Sequence, residues 1–369
     1  LAHVLGLSQE QRLEDYDYLV QTLGDSYLCM GVRDRDNPED PSAAIFQAYR
    51  EMIQESGSDE VFYSAVYSTL FRLGTYGHLW IVEPDMYRAY CEAYEDGGIQ
   101  DREHWREVLT DPVTVRGYER LQTLLDAYGE EDCTVNSADS EEPAANLHTL
   151  LLPGGDVGYV KIDSFPAEYE DSYTTDRAAL TDFYRQAADC TDLIIDLTDN
   201  SGGSEVYWQQ LLAAPLTDRP LSCTNYALLA ESGNNRPYIQ EVFSPEELHP
   251  IADLPDLPKL ERDGIQTATH FVESTLSVEP AAERAPFHGR IWVLVGPAVY
   301  SASESFAVFC QETGFATLVG SPTGGDGIGA LEPVFLQLPN SGILVQFTMM
   351  FGLNGDGSSS EETGTTPDI

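Results

Sequence analysis

The chain of 369 residues carries 62 acidic against 19 basic side chains, a net charge of −43. Such a field repels a phosphate backbone and an anionic bilayer surface, so nucleic acid is excluded as a partner, and no apolar run is long enough to span a membrane. Hydrophobic residues make up 42% and are spread along the sequence, which predicts a globular protein of two or three domains.

Residues 8–73 predict helices. In "SQEQRLEDYDYLVQTLGDSY" the apolar positions Leu13, Tyr16, Leu19, Val20 and Leu23 recur at three- and four-residue spacing behind Ser8, a good N-cap. "PSAAIFQAYREMIQES" and "SDEVFYSAVYSTLFRLG" repeat the pattern, so residues 1–80 are expected to form a small helical bundle ending in the His78 loop. Residues 86–128 also read as helical, with breaks near Gly97-Gly98 and Asp111-Pro112, and "EEDCTVNSADSEEPAAN" (131–146) reads as an acidic linker or surface loop.

From about 151 onward the periodicity changes. "GDVGYVKIDSF" predicts a strand, and "DLIIDL" and "IWVLV" are short continuous apolar runs of the kind found in buried parallel strands. "RAALTDFYRQAADC", "SEVYWQQLLAAPL" and "SASESFAVFCQETG" predict helices between them, the last stopped by Gly314. "ATLVG" and "GILVQF" add strands, and residues 216–285 form an insertion of mixed signals. Alternating strands and helices predict an α/β layered domain over 151–369.

The six cysteines are scattered without a Cys-x-x-Cys pair, and there is no His-Glu-x-x-His. No metal or other cofactor is expected. Gly-x-Ser-x-Gly and Ser-x-x-Lys are also absent, which removes two common serine-hydrolase readings.

Three stretches carry possible chemistry. "VYSASESF" (299–306) places Ser301 at a strand-to-helix junction, where it is either a nucleophile or the cap of a Ser-x-x-Glu capping box with Glu304. "DLTDNSGGS" (196–204) joins a strand to a helix through Gly202 and Gly203, whose backbone N–H groups suit an oxyanion hole or simply a tight turn. Of seven histidines, His78 in "GTYGHLWIVEP" stands on a loop beside glycine, a placement that suits a base.

In order, Gly-His, strand plus Asn-x-Gly-Gly, strand plus Ser-Ala-Ser-Glu, "VGSPTGGDG" (319–327) and "EETGTTPD" (361–368) resemble the S41 peptidases, the C-terminal processing (tail-specific) and tricorn-like proteases. The resemblance covers 155–369 and extends more loosely to His78. It implies a ClpP/crotonase-like α/β core with an N-terminal helical domain, a serine peptidase acting on unstructured or partly degraded polypeptides, and an extracytoplasmic location, with which a chain beginning at Leu1 as a trimmed product is compatible. It further implies Ser301 as nucleophile, N–H groups of Ala302 and of Gly202 or Gly203 as oxyanion donors, and His78 as base with Glu361 ordering it.

Three departures from the family pattern stand out. Asp326 occupies the position of the processing-protease lysine, and the two lysines of the chain, Lys161 and Lys259, match no motif; the resemblance is therefore closer to the Ser/His tricorn-like branch. Thr198 replaces a customary arginine, and no PDZ-like segment lies between His78 and the core. A non-catalytic peptide-binding protein retaining the fold is the rival expectation, and hydrolysis of a non-peptide ester or amide would use the same residues.

Overall fold

The computed structural model describes residues 4–95, 102–129, 145–262, 265–327 and 332–369. The predicted break at Gly97-Gly98, most of the acidic stretch 131–146, and Cys133 and His3 lie outside the described residues.

Helix α1 (Gln9–Ser26) opens with a full capping box: Gln11 N–H donates to the Ser8 hydroxyl, and Ser8 N–H donates to the Gln11 side chain. Helices α2 (Met30–Asp36), α3 (Ser42–Glu55) and α4 (Asp59–Leu73) follow. Helices α1, α3 and α4 pack together and bury Tyr16, Leu19, Ile45, Phe62 and Val66, the apolar stripes seen in the sequence. The chain then makes a 3-10 turn, Tyr76–His78, and strand β1 (Trp80–Ile81). Helices α5 (Pro84–Ala93), α6 (Glu103–Thr110) and α7 (Pro112–Gly129) complete this region, with Pro112 starting a new helix where the break was expected.

The second half holds the layered core. A five-stranded sheet runs in the order β2 (Leu147–Leu151), β3 (Val157–Ile162), β4 (Asp192–Asp196), β8 (Arg290–Val295), β9 (Thr317–Gly320). Strands β3, β4, β8 and β9 are mutually parallel, and β2 is antiparallel at the edge. Parallel neighbours need crossovers. Helix α8 (Asp171–Gln186) links β3 to β4, and α12 (Ala302–Thr313) links β8 to β9. After β4 the chain forms α9 (Glu205–Tyr207), a π-helical stretch Trp208–Ala213 and α10 (Ala214–Leu216) before the insertion.

The insertion, which gave mixed signals in the sequence, is mainly sheet. Its strands β5 (Leu221–Leu229), β6 (His249–Pro250) and β7 (His270–Val278) pair antiparallel with help from β12 (Met350–Leu353), and α11 (Arg236–Val242) lies between β5 and β6. A third sheet has the order β1, β11 (Leu344–Thr348), β10 (Pro333–Gln337). Strands β2, β10 and β12 were not foreseen.

Two hydrophobic cores result. One lies in the layers around β3, β4, β8 and α12, and includes Val160, Ile195, Val293 and Phe306. The other joins the N-terminal helices to β5, β10, β11 and β12, so residues near both ends of the sequence share one interior. No described helix is long and apolar enough to cross a membrane.

Candidate active site

The site forms where β4 and β8 end, outside the carboxyl edge of the parallel sheet, the usual place for chemistry in α/β layers. After β4 the chain turns through Asn200, which is fully buried. Its Nδ2 donates to Ile162 O at 3.1 Å, and its Oδ1 accepts from Gly202 N–H at 2.8 Å and from the Ser303 hydroxyl. Asn200 thereby clamps this turn to the first turn of α12. At Gly202, with φ of 109°, a Cβ would stand 2.7 Å from Tyr300 O and 3.0 Å from Ala302 N, so only glycine permits this approach.

Ser301 is the N-terminal flank of α12, with φ 56° and ψ −123°. Its N–H donates to Gly325 O at 3.0 Å, and its side chain makes no capping hydrogen bond. The capping-box reading of Ser301 and Glu304 is thus corrected. Glu304 is turned inward, where its Oε1 accepts from the Thr365 hydroxyl at 2.6 Å, so it ties the C-terminal segment to α12. Burial pushes the Glu304 carboxyl above its ordinary range. Ser303 is a structural residue held by Asn200.

Among the described residues, the N–H groups of Gly203 and Ala302 carry no hydrogen bond, whereas that of Gly202 is occupied by Asn200. Two open backbone donors therefore flank Ser301, and α12 presents its positive end there.

His78 comes from the other core. Its loop is fixed from below: a Cβ on Gly77 would meet Cys29 Sγ and Thr348 Cγ2 at 2.8 Å, and Gly77 N–H donates to Glu361 Oε1 at 2.9 Å. The imidazole packs against Tyr300 and Trp80, with ring centroids 5.3 and 5.4 Å away. Its Nε2 lies 2.6 Å from Asp326 Oδ2, in an ion-pair contact bent away from the ring N–H axis. Asp326 is 3% exposed. The Tyr300 hydroxyl stands 3.4 Å from the same oxygen and 3.3 Å from Thr75 O.

Glu361 completes the cluster. Burial first, and then the neighbouring Asp326 carboxylate, push its carboxyl well above the ordinary range. As a carboxylate its Oε2 would be buried without a donor; protonated, it becomes a donor to Asp326. Glu361, Asp326 and His78 thus lie in line, and both the His78 ring and the Asp326 carboxyl group face Tyr300, the residue before Ser301.

Only three non-glycine residues among those described have positive φ: His78 (54°), Ser301 (56°) and Asp326 (56°). Backbone strain of this kind persists where surrounding structure holds it, commonly at functional sites. Its concentration at these three positions marks the cluster independently of any motif.

The structure gathers His78, Asp326, Glu361 and Tyr300 by direct contact; Ser301 and Ala302 follow Tyr300 in the chain, and no hydrogen bond among the described residues joins Ser301 to His78. Both lysines are held in surface ion pairs, Lys161 with Asp199 at 2.6 Å and Lys259 with Asp356 at 2.8 Å. Thr198 bonds back to Asp196 through its own N–H and hydroxyl. No role for Asp326, Tyr300 or Trp80 is legible in the sequence beyond Asp326 standing where the resemblance expects a lysine. The five described cysteines are free thiols, and no described cluster of His, Cys, Asp and Glu has the geometry of a metal site.

Comparison with known proteins gives the following. The family model of Peptidase family S41 matches residues 156–369. No curated protein sequence matches the chain. A candidate peptidase from Parabacteroides merdae ATCC 43184 superposes with a TM-score of 0.58 at 17% identity, over 98% of this chain and 89% of that one. Mature CPAF complexed with lactacystin superposes with a TM-score of 0.56 at 13% identity, over 98% of this chain and 93% of that one. These likenesses are to the fold.

Proposed function

The chain belongs to peptidase family S41 and is a serine peptidase, and from that premise we propose that Ser301 is its nucleophile and His78 its general base. With Nε2 facing Asp326, Nδ1 is the ring nitrogen left to receive the Ser301 proton. Ser301 Oγ attacks the substrate carbonyl as its proton passes to His78. The tetrahedral oxyanion is held by the N–H groups of Gly203 and Ala302. Collapse of that intermediate expels the amine, which takes the proton from His78 and leaves an acyl-enzyme. Water, deprotonated by His78, then releases the acid and restores Ser301.

Asp326 acts through His78. Its carboxylate orients the ring and favours the imidazolium that forms in each transition state. Glu361, kept protonated, holds Asp326 in place and anchors the histidine loop through Gly77. With this assignment the chain resembles the Ser/His tricorn-like branch rather than the Ser/Lys branch. Substrates are unstructured or partly degraded polypeptides, because attack needs an extended strand at the end of the sheet.

The observation that carries the proposal is the His78–Asp326 contact, made between two residues that both hold strained backbone, as Ser301 does. The test is labelling with a fluorophosphonate probe, which reports an activated serine. Label on Ser301, lost in Ser301→Ala and strongly reduced in His78→Ala, supports it. A folded protein that takes no label would instead be a peptide-binding protein on the same fold.

A further inference from the structure

A second feature adjoins the His78 loop. A cleft of about 410 Å³ opens beside it, lined among others by Tyr67, Phe71, Leu79, Trp80, Ile81 and Met86. Phe71 is 76% exposed, Tyr67 43% and Met86 42%. Tyr67 and Phe71 are one turn apart on α4, off the face through which Phe62, Val66 and Leu70 enter the core. Helix α4 therefore carries a second apolar strip that its own packing does not use, and Met86 in the first turn of α5 is part of the same cleft. A contiguous exposed apolar surface of this kind marks a binding site.

The cleft is continuous with the catalytic residues. Thr75 and Leu79, on either side of the turn holding His78, both line it. Trp80 lines it too and packs edge-on against the His78 ring. Strand β1 pairs with β11 on one side only. Val82 N–H donates to Leu344 O at 2.9 Å, so the alternation of an antiparallel pair turns the N–H and C=O of Ile81 away from β11. No hydrogen bond among the described residues takes up either group. At the rim stand the exposed carboxylates Glu83 and Asp85, the latter ion-paired with Arg88.

We propose that this cleft is a specificity pocket, which receives a large apolar side chain of the polypeptide substrate while the substrate backbone pairs with Ile81. An extended peptide laid on a strand edge gains main-chain hydrogen bonds and presents alternate side chains to one face, so one apolar residue enters the cleft. Glu83 favours a basic residue next to it. The inference rests on His78 being the base of Ser301, because the pocket's value for selection comes from adjoining that residue.

Binding by the full chain carrying Ser301→Ala tests this without turnover. The probes are fluorescent unstructured peptides identical except for Leu, Phe or Gly at one scanned position. At one position the Leu and Phe peptides bind at least about tenfold tighter than the Gly peptide, as an apolar pocket allows. Phe71→Ser and, separately, Met86→Ser, each checked for folding by circular dichroism, bring that ratio close to one. Equal binding of Leu, Phe and Gly peptides at every position, or an unchanged ratio in both variants, overturns the pocket. Failure of the catalytic reading looks different: the wild-type chain shows the Leu and Phe preference but neither cleaves the peptides nor takes a fluorophosphonate label.

Discussion

Asp326 Oδ2 stands 2.6 Å from His78 Nε2, joining a residue of the layered core's rim to a loop of the N-terminal region. The position that a processing protease fills with a lysine base is here filled by the partner of a histidine. On the proposed mechanism, the exchange of lysine for aspartate is a change of base rather than a loss of one. An aspartate beside a serine cannot do the work of an amine, but beside an imidazole it orients the ring and balances its positive charge.

Asp326→Asn keeps the shape of the contact and removes its charge. Peptide turnover is expected to fall by about 10² to 10⁴ in kcat, the range associated with loss of a base or its orienting carboxylate. Steady-state kinetics with a quenched peptide measure it. Retention of most of the wild-type kcat would show that His78 needs no help from Asp326.

The lysines give the complementary experiment. Lys161 and Lys259 are tied to surface carboxylates, and such exposed pairs contribute little. The double variant Lys161→Met, Lys259→Met is expected to keep its kcat within about threefold of wild type. A collapse of activity with intact folding would return a Ser/Lys mechanism to consideration.

Glu361 predicts a pH dependence of stability. Its carboxyl is pushed up in the folded state, so the folded chain binds more protons than the unfolded one between the ordinary glutamate value and the raised one. In that window stability falls as pH rises; below the ordinary value the two states are equally protonated and the penalty vanishes. Glu361→Gln mimics the protonated acid and retains an acceptor for Gly77 N–H. Its melting temperature relative to wild type is expected to climb from about pH 4 to neutral pH. Thermal melts across that range settle it, and a difference independent of pH would count against a protonated Glu361.

Asn200→Ala strips three hydrogen bonds from a fully buried position. Leaving the Gly202 N–H and the Ser303 hydroxyl without their acceptor costs about 1–3 kcal/mol each if nothing replaces it. The variant should melt several degrees lower, and its kcat should fall because the Gly203 donor is no longer fixed against α12. Unaltered kcat in a destabilised protein would remove Gly203 from the oxyanion site.

Much of this arrangement is visible in the sequence, for physical reasons. The helices around Tyr16, Ile45 and Phe62 announce themselves by their apolar period, and β4 and β8 by unbroken apolar runs that only a strand covered on both faces tolerates. Strands β2, β10 and β12 do not. "LHTLL" and "PVFLQ" are too short to show a period, and "MFGL" contains a glycine, so their pairing is decided by distant partners. In the site, Ser301 could be proposed from its strand-to-helix junction and the Ser-Ala-Ser-Glu pattern, and His78 because its loop lies beside a glycine. Asp326 could be noticed only as a mismatch, since its meaning lies in a histidine far away in the chain. The tight packing of Asn200 likewise leaves no trace in "DNSGG".

The hydrogen bond from Gly77 N–H to Glu361 spans 284 positions of sequence, and β1 beside it pairs with β11 rather than with any strand made near it. Contacts of such separation form late, because a long loop must be closed before they contribute. On the ribosome, the histidine loop emerges long before the strand and the acid that hold it. The nascent chain, itself an unfolded polypeptide, therefore carries the proposed base unassembled for most of its synthesis, and the proposed site is complete only after residues 344–361 have been made.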